Sequence, residues 1–385
     1  MLSARASWLS CIACFFAALT TVASTRSIAD ETRLREDKSE QPPNIVLILS
    51  DDQAWTDYGF MGHPQIETPA LDKLAKESAV FTRGYVPTAL CRSSLATLMT
   101  GLYAHQHKIS GNDPAWLPDM QPRSPEPQSY KELRERLISH IDRIPLLSKQ
   151  LVEAGYLAHQ SGKWWEGSFA RGGFTQGMTL GFPKPGGRHG DDGLKIGREG
   201  LEPVTDFIDS AVDQGKPFFV WYAPFLPHSP HNPPAELFAK YKAKGIESDH
   251  VARYYAMVEW FDQTCGDLLE HIDAREQREN TVVVYLSDNG WIQDPKSPGF
   301  APRSKQTANE GGTRQPIMFR WPGQIVPGER GEQLCSSVDI VPTLQGAVGI
   351  TSPIEMPGYD LMDCLRSGEP TPRKEAFGET FAHDV

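Results

Sequence analysis

An α/β fold, with a mostly parallel sheet sandwiched by helices, is the architecture this sequence predicts, and three observations predict it. The runs 44–50 (Asn-Ile-Val-Leu-Ile-Leu-Ser), 217–223 (Pro-Phe-Phe-Val-Trp-Tyr-Ala) and 281–287 (Thr-Val-Val-Val-Tyr-Leu-Ser) are apolar without alternation, the pattern of strands covered on both faces. Segments with helical spacing fall between them, the rhythm that builds parallel sheets. Polar residues follow each run: Asp51-Asp52, Pro227-His228-Ser229-Pro230 and Asp288-Asn289-Gly290. Ligands of open α/β sheets gather at such carboxyl ends.

Composition sets the bounds. The chain has 385 residues, 39% of them hydrophobic, enough for one large domain with a sizeable core. Its net charge of −11 is not offset by any basic block, which excludes a nucleic-acid surface. Residues 1–29 carry Arg5, an apolar run over 8–23 and small residues at Ser24 and Ser27-Ile28-Ala29, the layout of a secretory signal too short to span a membrane. This predicts export, to the periplasm or outside the cell, and no stable membrane span once the signal is cleaved. Residues 30–43 are charged and aperiodic, as a solvated tether is, so the folded domain is expected over 44–385. Cys11 and Cys14 leave with the signal; no spacing among Cys91, Cys265, Cys335 and Cys364 identifies a disulfide.

Taken in order, Thr68-Pro69 opens a helix with Leu71, Leu74, Ala75 and Ala79 turned inward, and 81–86 reads as a short extended segment. Cys91 then precedes a helix over 93–100 marked by Leu95, Leu98 and Met99; a helix N-terminus favours a thiolate or oxyanion. The Pro-rich stretch 112–127 predicts a surface excursion at the pocket rim. A helix over 146–154 stops at Gly155, the strand 156–161 delivers Gly162-Lys163-Trp164-Trp165, and the glycines of 171–200 predict loop. A helix over 203–212 leads to the strand 217–223. The long helix 248–274 puts Val251, Tyr255, Val258, Phe261, Cys265, Leu268 and Ile272 on one face, which gives Cys265 a structural role. A strand over 316–321 and a helix near 339–348 follow. The end, 377–385, reads as a strand cut short, with a small C-terminal subdomain absent or truncated.

Singly, these polar groups have plain explanations: the acidic pair as a turn or cap, Lys163 and Lys305 as solvated lysines, His228 as a turn histidine, Cys91 as core. Together they are oxygen ligands and a nucleophile at strand ends, and carboxylate and amide oxygens select one hard cation, Ca²⁺ or Mg²⁺. The order and spacing of six motifs, Asp51-Asp52, Cys91 before its helix, Gly162-Lys163-Trp164, Pro227-His228-Ser229-Pro230, Asp288-Asn289-Gly290 and a lysine five residues before Glu310-Gly311-Gly312, resemble the sulfatase family of the alkaline-phosphatase superfamily. The resemblance implies a sulfuric ester hydrolase acting on a small-molecule or glycan sulfate ester. It implies formylglycine made from Cys91, and Ca²⁺ held by Asp51, Asp52, the modified Cys91, Asp288 and Asn289. Lys163, His228 and Lys305 would then bind sulfate oxygens and assist leaving-group protonation. In the hydrate of such an aldehyde one hydroxyl attacks sulfur, and the other loses its proton to expel sulfate.

Three positions depart from the family pattern, the first being Ser93, where the pattern has the Pro or Ala recognised in maturation. Cys-x-Pro/Ala-x-Arg reads Cys91-Arg92-Ser93-Ser94-Leu95 here, so an arginine is replaced by Leu95, with Arg92 as the nearest substitute. A histidine is replaced by Trp165, which accepts no proton; His231 and His105 are the alternative bases. Two other readings remain open on the sequence alone: a phosphate- or phosphonate-ester hydrolase of the same superfamily, and a catalytically lapsed protein that binds sulfated glycans.

Overall fold

The computed structural model describes residues 41–116 and 126–385. The expected signal and nearly all of the expected tether lie outside these residues, as does the middle of the 112–127 excursion. Among the described residues no helix is long and apolar enough to cross a membrane.

Among the described residues nine strands form one sheet: β1 (Asn44–Ser50), β2 (Ala79–Tyr85), β3 (Leu157–Gly162), β4 (Gln176–Gly177), β5 (Phe218–Ala223), β6 (Thr281–Ser287), β7 (Arg314–Arg320), β8 (Gly328–Glu329) and β9 (Leu334–Ser336). Their order is β4-β3-β5-β1-β6-β7-β2-β8, with β9 also on β2. β1 pairs parallel with β5 and β6, whereas β7 is antiparallel to both β6 and β2. β2 therefore runs the same way as β1, and its carboxyl end delivers Cys91 to the edge where β1, β3, β5 and β6 also end.

The apolar runs lack alternation because both faces are covered. Ile45, Leu47 and Leu49 of β1 pack with Trp221, Val282 and the helix Cys91–Thr100 on one side; Val46 and Ile48 pack with Val220, Tyr222, Val283 and the helix Asp249–Ala274 on the other. Cys265 is fully buried in this second layer, as its helical spacing predicts. Cys91, Cys265, Cys335 and Cys364 are all free thiols.

Several sequence expectations shift. The helix expected from Thr68 ends at Lys76, and Ala79 instead opens β2. Thr68 makes no side-chain cap; Asp262, from the long helix, accepts the Ala70 and Leu71 N–H groups at 3.0 and 2.8 Å. The helix near Cys91 begins at Cys91 itself, two residues early, because Leu90 is its extended N-cap. Val251 and Tyr255 pack on the helix Ala235–Ala243 rather than on the sheet. The 377–385 segment forms no strand: it meets the 112–115 segment through a single bridge, with Val385 N–H donating to Asp113 O at 2.9 Å and Asn112 N–H to His383 O at 2.7 Å.

Candidate active site

β1 is flanked by β5 and β6, so the centre of the sheet is where the chain leaves in both directions. Ser50 and Ser287 are in register, and Asp51 therefore lies beside Asp288. Asp52 adopts φ 65°, an uncommon left-handed conformation for which Asp is one of the tolerant residues. Its N–H donates to Asp288 Oδ1 at 3.1 Å, which fixes the turn.

Two glycines bring the other motifs in. Gly162, at φ 84°, abuts Ala223 so closely that a Cβ would overlap its carbonyl, and the next N–H, of Lys163, donates to that carbonyl at 2.7 Å. Gly290 likewise leaves no room for a Cβ against Gly311, and its N–H donates to Gly312 O at 2.8 Å. The Asp288-Asn289-Gly290 turn is thereby locked to the Glu310-Gly311-Gly312 turn, with Lys305 between them.

All eight predicted site residues converge. Lys163 Nζ donates to Asp51 Oδ1 at 2.7 Å; Lys305 Nζ donates to both Asp52 oxygens at 2.6 Å and to Cys91 Sγ at 3.2 Å. Cys91 Sγ is 3.9 Å from Asp51 Oδ1 and from Asp52 Oδ1. His228 Nε2 is 3.3 Å from Asp52 Oδ2, and Asn289 Nδ2 donates to Asp52 Oδ1 at 2.6 Å. Asp51, Asp52, Cys91 and His228 present ligand atoms all within 4.8 Å of one another. Asp288 and Asn289 adjoin this group through Asp52.

The arrangement suits a hard cation. Three buried carboxylates face two ammonium groups, and three buried oxygens, Asp51 Oδ2, Asp288 Oδ2 and Asn289 Oδ1, have no hydrogen-bond partner. Burial, opposed by Lys163, pushes the Asp51 carboxyl well above its usual range and raises Asp288 too. At Asp52 burial is outweighed by Lys305 and His228, and its pKa falls. Burial also pushes the Cys91 thiol up despite both lysines, so an unaltered thiol at this position stays protonated. Burial and Lys163 push His228 well below its usual range, with Asp52 pulling the other way.

The structure places Arg92, Leu95 and Trp165 as follows. Arg92 is not a substitute for the missing arginine: its guanidinium forms a buried two-point pair with Glu166, at 2.7 and 2.8 Å, apart from the acidic cluster. Leu95 faces the same small cavity, of about 10 Å³, together with Arg92, Trp164 and Glu166. Trp165 offers its ring face to Lys163 Nζ at 5.0 Å, a cation–π contact in place of a proton acceptor. His105 is 62% exposed and paired with Glu379 at 2.5 Å, away from the cluster. His231 packs on Tyr254 and Trp291, with a buried, unpartnered Nε2.

Phe225 was not legible in the sequence, yet its ring stacks on His228 at 4.3 Å and meets Lys163 Nζ at 5.4 Å. It lies two residues past β5, where no period marks it. Its place between the strand end and Pro227-His228 is the only signal that points to it.

The model of the family described as "Sulfatase" matches residues 43–350. Human arylsulfatase A is 30% identical over 88% of this chain and 70% of its own length. N-acetylgalactosamine-6-sulfatase of the dog is 29% identical over 86% and 68%. The crystal structure of Ps i-CgsB in complex with k-i-k-neocarrahexaose superposes with a TM-score of 0.66 at 27% identity, covering 86% of this chain and 77% of that one. With the family model spanning the sheet and every residue of the converged centre, this chain belongs to the sulfatase family of sulfuric ester hydrolases.

Proposed function

We propose that the protein is an exported, Ca²⁺-dependent hydrolase of carbohydrate sulfate esters. The observation that carries this reading is the convergence of Asp51-Asp52, Cys91, Lys163, His228, Asp288-Asn289 and Lys305 at one sheet edge with three buried oxygens unpartnered. Asp51, Asp52, Asp288 and Asn289 would hold the cation with the residue-91 side chain, and Mg²⁺ is the other ion such oxygens accept. When bound, the cation neutralises the carboxylates and polarises the sulfate. Formylglycine at position 91 supplies, as its hydrate, the attacking hydroxyl.

This chain's own residues do the rest. Lys163 and Lys305 present fixed ammonium groups to the anionic ester oxygens, where preorganised charge stabilises what develops in the transition state. With the anionic ester bound, the added negative charge beside His228 opposes the burial that otherwise keeps its imidazole neutral, and the protonated ring hands a proton to the departing alkoxide, which a sugar leaving group needs and an acidic phenol does not. The carbohydrate assignment draws on relatives: besides the galactosamine sulfatase, an ulvan-active sulfatase of Formosa agariphila is 25% identical over 91% of this chain and 70% of its own length.

Turnover of sulfated sugars, 4-nitrophenyl sulfate and 4-nitrophenyl phosphate in Ca²⁺ tests the reading. Sulfates are expected to react at least about 100-fold faster than the phosphate, the scale of one misplaced catalytic contact. A preference for phosphate, or binding of sulfated sugars without turnover, would overturn it.

A further inference from the structure

Arg198 lies in the glycine-rich 171–200 loop, outside every motif that marks the site. Its partly buried guanidinium is nonetheless held by several contacts. Nε and Nη2 both donate to the Phe225 carbonyl, at 3.0 and 2.7 Å; Nη1 donates to Asn232 Oδ1 at 2.8 Å, and Nη2 reaches His228 O at 3.5 Å. The guanidinium carbon is 5.5 Å from the ring centres of Phe225 and of Trp260, the latter on the long helix.

These contacts straddle the segment that carries His228. Asp51 N–H donates to Leu226 O at 3.0 Å, so adjacent carbonyls, 225 and 226, are tied to Arg198 and to the acidic pair. The Phe225 ring then stacks on His228 at 4.3 Å with 27° between planes, and His228 Nε2 meets Asp52. The imidazole thus has its distance to the centre set by a backbone tie, and its plane set by the neighbouring ring together with its own Nδ1 contact with Ser229 O at 2.5 Å.

We propose that Arg198 is a positioning residue for ester cleavage, its forked clamp on the Phe225 carbonyl holding the Phe225–His228 stack in place over the Asp52 centre. This rests on the reading of His228 as proton donor to the leaving group. Lysine keeps the charge but lacks the planar fork, and a misplacement of about 1 Å costs on the order of 100-fold in rate.

The experiment compares Arg198→Lys, His228→Ala and the double variant on a sugar sulfate and on 4-nitrophenyl sulfate, whose leaving group departs unprotonated. Arg198→Lys is expected to lower kcat on the sugar sulfate about 10- to 100-fold with KM little changed, and to alter the aryl sulfate less than about 3-fold. His228→Ala should show the same contrast more strongly, and the double variant should lose no more than His228→Ala, since residues acting as one unit are not additive. Asn232→Ala, at an exposed position, should give a smaller loss in the same direction and serves if Arg198→Lys does not fold. Equal losses on both substrates, or additive losses in the double variant, would overturn the positioning role while leaving His228 as the acid. No leaving-group contrast in His228→Ala would overturn the acid role itself, and the positioning role with it.

Discussion

Leu95 and Glu166 show how a single charge is placed in this centre. With leucine at 95, positive charge reaches the thiol from Lys305 and the acidic pair from both lysines, while Arg92 is committed to Glu166. Breaking a buried pair by removing one partner strands the other charge, so Glu166→Ala is expected to destabilise the fold by about 3–5 kcal/mol, read from denaturant midpoints. Leu95→Arg would set a second guanidinium beside Arg92 in a cavity too small for it. It should lower stability by a similar amount and not raise kcat. Asp57 gives a pH signature: burial, against hydrogen bonds from Tyr254 and Thr56, pushes its carboxyl up to about 6. The folded chain therefore keeps this proton after the unfolded chain has lost it. Its stabilising contribution is full below about pH 4, falls as pH rises from about 4 to 6, and is level above. A tenfold difference in proton affinity between the folded and unfolded chains is worth about 1.4 kcal/mol. Asp57→Asn, which can still accept from Tyr254, should flatten that part of the stability–pH curve; an unchanged slope would refute the assignment.

At the scale of elements, the parts read correctly from sequence were those whose physics is local. β1, β5 and β6 were legible because strands buried on both faces need an unbroken apolar run, and Cys265 was legible because a 26-residue helix repeats its apolar face many times. What depends on distant partners was not. The reversal of β7, the capping of Pro69–Lys76 by Asp262, the Arg92–Glu166 pair and the Arg198 clamp each join residues far apart in sequence, and none leaves a periodic trace. The six-residue helix Met362–Ser367 is likewise too brief to show a clear period. Gly162 is the element-scale test of how β3 aims its lysine. Gly162→Ala meets both a positive φ and the Ala223 carbonyl, so it should cost about 1–3 kcal/mol and lower kcat by displacing Lys163, whereas Gly215→Ala, with φ 61° but open space around it, should leave kcat unchanged.

For the molecule as a whole, the centre gathers loops from five strand ends, so the cation proposed there also ties the sheet edge together. Chelation should abolish turnover and lower the unfolding midpoint, and Ca²⁺ should restore both; at about 100 times Kd the ion contributes about 2.7 kcal/mol. The residues of this centre were legible in advance through the resemblance of six motifs to the sulfatase family, since singly each hard-ligand or cationic side chain at a strand end has a plainer explanation. The proposed chemistry turns on the state of residue 91, since a protonated thiol in this environment is a poor nucleophile. The decisive measurement is the mass of a peptide spanning Leu90 to Met99, released by a protease that does not cut after Arg92, from protein made in its native host. An aldehyde at Cys91 is the expected result; an intact thiol in protein that turns over sulfate esters would contradict the formylglycine mechanism.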